Sequence, residues 1–431
     1  MGKTRQTSIG SMVILGAMFF IFGLVSWVNS ILIPYFRIAC ELTHFQSYFV
    51  TFAFYIAYFV MAFPSGMLLG KTGFKTGITI GFAFMAAGMY IFVPAALTRT
   101  FGIFLAGLFL IGTGLAILQT AANPYVTIIG PLESAARRIS IVGICNKVAG
   151  ILAPLLFAAV ILKASDAQTF DLIESGALAG AEKEAVLDEL IRRVIWPYTI
   201  LGTALLAFGI WIRHSFLPEI NTEEENASSS SEDRRSVFSY PYLVLGALAI
   251  FFHVGSQVIA IDTVIQYAGS MGVGMLDAKI FPSLTLTCTM LGYILGIILI
   301  PKAVSQKTAL VVCTCLGLAL SLGAVLLDAP VRVLGRDVNL SLLMLNAMGF
   351  PNALIYAGIW PLAIRGLGRH TKTGSSLLIM GLCGNAIMPQ IYGWIADLHG
   401  LRAGYWVLIP CFLYLIFYAL WGHKIEYWRK K

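Results

Sequence analysis

The sequence predicts an all-α membrane protein, with twelve transmembrane helices in two pseudo-symmetric six-helix halves. Composition is the first reason: of 431 residues, 58% are hydrophobic and only 12% charged. A soluble domain carries roughly 25% charged residues. The mean hydropathy of +0.84 agrees, and no soluble fold of this size has interior enough to hide so much apolar surface. The second reason is segmental. Apolar stretches run about 18–25 residues without strict alternation, which fits helices of roughly 30 Å and not barrel strands. In lipid each backbone polar group must be satisfied within its own segment or a closed barrel.

The expected spans are residues 10–36, 47–70, 76–98, 101–130, 138–163 and 193–216, then 241–268, 279–304, 308–327, 339–364, 373–397 and 403–423. Span 1, from Met12 to Phe36, exceeds a signal-peptide core and lacks a small-residue cleavage site, so it reads as retained. Asn221 to Arg235 (NTEEENASSSSEDRR) is charged, of low complexity and without apolar periodicity, which marks a linker. The chain therefore divides into an N-terminal half at 1–216, a linker at 217–240 and a C-terminal half at 241–431. A second long connection, 164–193, is acidic, and its stretch from Ala177 to Leu190 has the apolar spacing of a short amphipathic helix outside the membrane.

The net charge of +8 is scattered over loop ends and gathers on no single face, which argues against nucleic acid. Among alternate connections, Lys and Arg are more numerous in the set that includes the N-terminus, with Lys71, Lys75, Arg137, Arg138, Arg365, Arg369 and Lys372. That bias puts both termini in the cytoplasm. Seven cysteines show no paired metal spacing and read as free thiols. No P-loop, dinucleotide turn, HExxH or nucleophile elbow occurs, so neither an enzyme nor a bound cofactor or metal is expected. A non-transporting membrane sensor or receptor is a further, disfavoured expectation, because it would need a folded signalling domain that neither the linker nor the short tails could hold.

Polar side chains at membrane depth are expensive and face the bundle interior or a cavity. Span 1 carries Trp27, Asn29 and Ser30; span 4 carries Gln119 and Asn123, four apart and therefore on one helix face. Amides both donate and accept, which suits a neutral polyol, although they also serve as glue between helices. Asn146 and Lys147 follow in span 5. Two roles are open to Lys147: a fixed cation in a cavity, paired with an acid or meeting an anionic substrate, or a structural ion pair. Span 7 holds Asp262, with His253 and Gln257 before it, and spans 10 and 11 add Asn352 and Asn385. An isolated carboxylate suits ion coupling, and a capping role is its alternative. Trp27, Tyr55, Tyr125, Phe252 and Trp360 are candidates to offer a flat face to a sugar ring.

Internal echoes support duplication. Gly143-Ile-Cys145 with Asn146 in span 5 is echoed by Gly381-Leu-Cys383 with Asn385 in span 11. Asn123-Pro124 and Trp360-Pro361 each precede a basic loop. Parallel repeats of this kind, with the Gly66-x4-Lys71-x-Gly73-x-Lys75 turn after span 2, resemble the major-facilitator pattern.

The run from Leu118 to Tyr125 (LQTAANPY), followed by Gly130-Pro131 and Arg138, resembles the fucose:proton symporter family and its glucose/galactose transporter branch. Asn29-Ser-Ile-Leu-Ile-Pro34 and Thr371-Lys-Thr-Gly-Ser-Ser376 resemble the same group. The resemblance implies the major-facilitator fold and secondary active transport of a monosaccharide, glucose/galactose-like or fucose-like, across the inner membrane. It implies alternating access in a monomer, with the sugar and the lipid bilayer as its only partners and a proton or sodium as coupling ion. Asn29, Ser30, Gln119, Asn123, Asn146, Gln257, Asn352, Asn385, Trp27 and Trp360 are then the expected sugar-binding residues, and Asp262 and Lys147 the ion-coupling pair. The fucose carriers have acids where Ser30 and Gln119 stand, and a small polar residue where Lys147 stands. An uncoupled sugar facilitator, or a carrier of an acidic or N-acetylated sugar, are the alternatives.

Overall fold

The structure, a computed structural model, describes residues 9–128, 135–163, 165–174, 178, 180–215, 237–300, 303–333, 336–365, 367 and 371–428. The linker expected at Asn221 to Arg235 lies outside the described residues. Among them, twelve helices are long and apolar enough to cross a membrane, in the order expected. The first six are Gly10–Ala39, Phe49–Thr72, Phe74–Thr98, Phe101–Ala122, Ile141–Ile161 and Gly180–Arg213. The second six are Pro241–Asp262, Met275–Leu299, Gln306–Leu326, Leu340–Ile364, Ser376–His399 and Leu401–Lys424. Tertiary contacts divide the chain into two compact units: Met1–Asn221 with Gly274–Ser283, and Thr222–Val273 with Leu284–Lys431.

Within the first unit, small residues let the backbones approach, as membrane helices require where lipid gives no hydrophobic drive. A Cβ on Gly23 of span 1 would run into the carbonyl of Asn146 on span 5, and one on Gly112 of span 4 into that of Phe54 on span 2. The turn between spans 2 and 3 depends on Gly73, whose φ of 76° is open to glycine at no steric cost. Beyond it Lys75 donates to the carbonyl of Ser215 at 2.7 Å. The long run before span 6 is two elements: an amphipathic helix, Gly180–Arg192, and then the apolar helix Ile195–Arg213. The amphipathic helix buries Leu187, Leu190 and Ile191 and is held from its polar side. Arg99 pairs with Glu184 at 2.5 Å, Lys183 with Glu41 at 2.5 Å and, just beyond the helix, Arg193 with Asp166 at 2.6 Å.

Several spans are interrupted, among them spans 1, 7, 10 and 11. Span 1 is Ile9–Trp27 and then Asn29–Ala39; span 7 is Pro241–Asp262 and then Val264–Gly269. Span 10 is Leu340–Ala347 and then Gly349–Ile364. Span 11 passes from Thr371–Met380 through a tight turn, Gly381–Cys383, into Gly384–His399. Two of these breaks have a local cause. Pro351 has no N–H for the Ala347 carbonyl and its ring crowds it, so the span 10 helix stops there. Thr263 turns its hydroxyl back to the Ile259 carbonyl at 2.7 Å, a bond that bends helices. Sequence periodicity predicts one helix across 241–268 and misses this break. In span 11, Gly381 and Gly384 press against the carbonyls of Ala247 and Phe251 on span 7. Its counterpart in span 5, Gly143 to Cys145, lies within the continuous helix Ala135–Ile161.

Between spans 9 and 10 the second unit carries a small hairpin, β1 (Pro330–Val333) and β2 (Arg336–Asn339), in the register Pro330↔Asn339. Sequence reading finds no strand there, because four residues carry too little alternation to register. Asp328 anchors its base, accepting from the Asn339 amide at 2.7 Å and pairing with Arg402 at 2.6 Å. The Asn339 hydrogen bond, then Arg402, hold the Asp328 carboxyl below its ordinary range, so the contact is complete at neutral pH and lost only on acidification.

Candidate functional site

In the first unit, two groups of polar side chains stand at membrane depth. The first joins spans 2 and 4. Gln119 donates its amide N–H to the Tyr58 hydroxyl at 2.9 Å, and Tyr58 stacks on Tyr55 with ring centroids 6.1 Å apart. Because Tyr58 accepts from Gln119, its own O–H is left to donate. The Gln119 carbonyl is left to accept. A ligand hydroxyl fits that donor and acceptor together. Asn123 and Tyr125 lie on the same span, but their side chains are outside the described part of the structure.

The second group joins spans 1 and 5. The Lys147 Nζ sits 4.5 Å from the centroid of the Trp27 ring. Lys147 is 8% exposed and Trp27 6%, and the buried indole N–H has no acceptor among the described residues. Gly150, one turn beyond Lys147, leaves the space the indole occupies. Asn146 directs its amide N–H to the Phe19 carbonyl at 3.1 Å.

The two neighbours of Trp27 behave differently. Ser30 is fully buried and donates to the Trp27 carbonyl at 2.9 Å, serving the end of the first helical segment. Its lone pairs alone remain for a ligand. Asn29 is also fully buried, and neither end of its amide has a partner among the described residues. It lines a cavity of about 10 Å³ with Val25, Phe54, Met89, Phe157 and Tyr198. That volume admits about one water, far less than a sugar ring needs. The structure thus sets Asn29 apart from Gln119 and Lys147.

The second unit carries its polar groups on spans 7, 10 and 11. His253 lies beside Tyr356, ring centroids 6.5 Å apart, and Tyr356 beside Trp360 at 5.6 Å. Asn352, Tyr356 and Trp360 are spaced four apart, so one face of span 10 presents an amide and two rings. Asn352 is 1% exposed and both ends of its amide lack partners among the described residues; the same holds for the buried amide atoms of Gln390 on span 11. The Asn385 carbonyl oxygen is likewise unpartnered, and Gln257 is half-buried. Phe252 packs on Tyr414 with ring centroids 5.0 Å apart, both half-buried.

Asp262 closes the first segment of span 7. It is fully buried, and neither carboxylate oxygen has a hydrogen-bond partner among the described residues. Its place at a helix C-terminus adds unfavourable dipole to desolvation. Neither Asp262 nor Lys147 forms an ion pair among the described residues.

Sequence reasoning passed over Tyr58, Tyr356 and Gln390. Each had a signal: Tyr58 follows Tyr55 by three, Tyr356 lies midway between Asn352 and Trp360, and Gln390 is an amide in an apolar run. Among the described residues, no cluster of His, Cys, Asp and Glu could hold a metal.

The sequence profile of the Major Facilitator Superfamily matches residues 15–383. A glucose/galactose transporter of Brucella abortus (biovar 1, strain 9-941) is 32% identical over 413 residues, covering 94% of this chain and 92% of that one. The L-fucose-proton symporter of Escherichia coli (strain K12) is 30% identical over 404 residues, covering 93% and 89%. Among solved structures, the transporter FucP in its outward conformation aligns with a TM-score of 0.69 at 26% identity, over 96% of this chain and 99% of that one.

Proposed function

The chain belongs to the major facilitator superfamily, as a transporter and not an enzyme, and from that premise we propose that it is a monosaccharide carrier driven by a cation gradient. Its cargo in this reading is a hexose of the glucose, galactose or fucose kind, the sugars named for its relatives. It works by alternating access of two six-helix halves, residues 1–216 and 241–431, joined by 217–240, and as a monomer. The excess of Lys and Arg in alternate connections supports an inner-membrane orientation with both termini cytoplasmic.

One observation carries the substrate class: the buried amides of Asn352 and Gln390 lack partners at both ends among the described residues. A hydroxyl donates and accepts, so a polyol satisfies both ends, whereas an ion or an apolar ligand leaves at least one unmade. Each unmade group costs about 1–3 kcal/mol, which favours keeping such amides where a ligand completes them. Within the first unit Gln119 with Tyr58, and Asn146, offer further amide and hydroxyl groups, and within the second Trp360 and Tyr356 offer flat faces to a ring.

Coupling rests on Asp262. Where the resemblance implies the acids of the fucose carriers, Ser30 and Gln119 stand here, so the cation is assigned to Asp262, whose buried carboxylate has no partner among the described residues. Lys147 is the other charge available to the cycle. Those same replacements favour an uncoupled facilitator as the second reading.

Uptake into proteoliposomes tests both. D-glucose, D-galactose and L-fucose are supplied under separate pH and sodium gradients. Saturable uptake of at least one hexose is expected, concentrated by one of the two gradients, and no saturable uptake of any overturns the substrate reading. Persistent counterflow with neither gradient effective turns the carrier into a facilitator. Gln119→Ala is expected to raise the half-saturating sugar concentration about tenfold, the equivalent of roughly 1.4 kcal/mol, in the same assay.

A further inference from the structure

Spans 1 to 6 contain no carboxylate at membrane depth: no Asp or Glu occurs in residues 10–39, 49–72, 74–98, 101–122, 141–161 or 195–213. They do contain one deep cation. Lys147, 8% exposed, has no carboxylate within ion-pair distance among the described residues and lies 4.5 Å from the Trp27 ring centroid. The ring face offsets part of the charge but supplies no hydrogen-bond acceptor. Beside it the Trp27 indole N–H is buried and also lacks an acceptor among the described residues. Lysine offers three donors and indole one, and neither accepts.

This pair is a built feature. Gly150 opens the space for the indole, and the close approach of Gly23 to the Asn146 carbonyl fixes span 1 against span 5 at that level. A site made only of donors, carrying an uncompensated positive charge, selects an acceptor that is itself charged. A neutral hexose brings no counter-charge. A hexuronate keeps the ring hydroxyls of a hexose for the amides and adds a carboxylate at C6.

Resting on the monosaccharide reading above, we infer that Lys147 and Trp27 form a carboxylate subsite and that the preferred cargo is a hexuronate. Gln119 with Tyr58, and Asn146, then read the ring hydroxyls, while the carboxylate sits against the ammonium and the indole N–H.

Binding to the purified full-length protein in detergent, followed by calorimetry, tests this with four probes: D-glucuronate, D-galacturonate, D-glucose and inorganic phosphate. The hexuronates are expected to bind at least tenfold more tightly than D-glucose. Lys147→Gln should bring that ratio to about one, Lys147→Arg should keep most of it, and Trp27→Phe, which retains the ring but removes the N–H, should reduce it a few-fold. Hexuronates bound no better than D-glucose overturn the subsite while leaving the monosaccharide reading intact. Phosphate bound as tightly as the hexuronates overturns it in favour of a free-anion site. If no sugar of either kind binds, both readings fall. The wild-type ratio alone decides the sign, so the proposal is tested even where Lys147→Gln does not fold.

Discussion

Asp262→Asn is expected to abolish accumulation of sugar against its gradient while leaving exchange of internal for external sugar in place. The carboxylate is fully buried, and neither oxygen has a partner among the described residues. An unpaired buried charge costs several kcal/mol, so a carboxylate kept at that depth is best explained by a cation or proton it binds during the cycle. Asparagine preserves the size of the side chain and removes its capacity to bind a proton. In proteoliposomes with an imposed pH or sodium gradient, the ratio of internal to external sugar should fall to about one, with counterflow within about twofold of the parent. A variant that still concentrates sugar removes Asp262 from the coupling role and moves the question to Lys147.

The second large effect is structural. Gly23→Val would force a branched side chain into the carbonyl of Asn146, where even a single Cβ does not fit. Backbone stands on the far side of the contact, so no flexible side chain can yield. The expected loss is at least about 3 kcal/mol, the upper end for overpacking a well-filled interior. It should appear as a lowered thermal unfolding midpoint in detergent, with a broadened elution profile. Gly143→Ala is the matched control, since a Cβ there meets nothing within 4 Å, and its midpoint should stay within a degree or two of the parent. Equal losses in both would show that glycine on these spans matters for reasons other than the close approach of spans 1 and 5.

Much of this was legible from residue types alone. Apolar stretches of the right length announce the spans because the bilayer penalises every polar group, so hydropathy reads burial almost directly. The same penalty makes Gln119, Asn146, Lys147, Asp262 and Asn352 conspicuous. Partners were not legible. Tyr58 is one more aromatic in an aromatic-rich span until the structure brings it to Gln119. The breaks at Thr263 and after Ala347 were also hidden, since hydropathy continues unchanged across them while a back-bonded hydroxyl and a proline redirect the chain.

Asn29 and Ser30 show the limit most clearly. They are adjacent polar residues at the same depth, and by type alone they belong to one cluster with Trp27. In the folded unit Ser30 serves the Trp27 carbonyl, Asn29 lines a cavity with room for about one water, and Trp27 lies under Lys147. The sequence by itself determined that this is a twelve-helix membrane protein and which few residues resist the lipid, because one physical rule, the cost of polarity in hydrocarbon, governs both. Only the tertiary structure decided which of those residues face one another, because that depends on helix rotation and on the glycine contacts that set how closely two backbones approach.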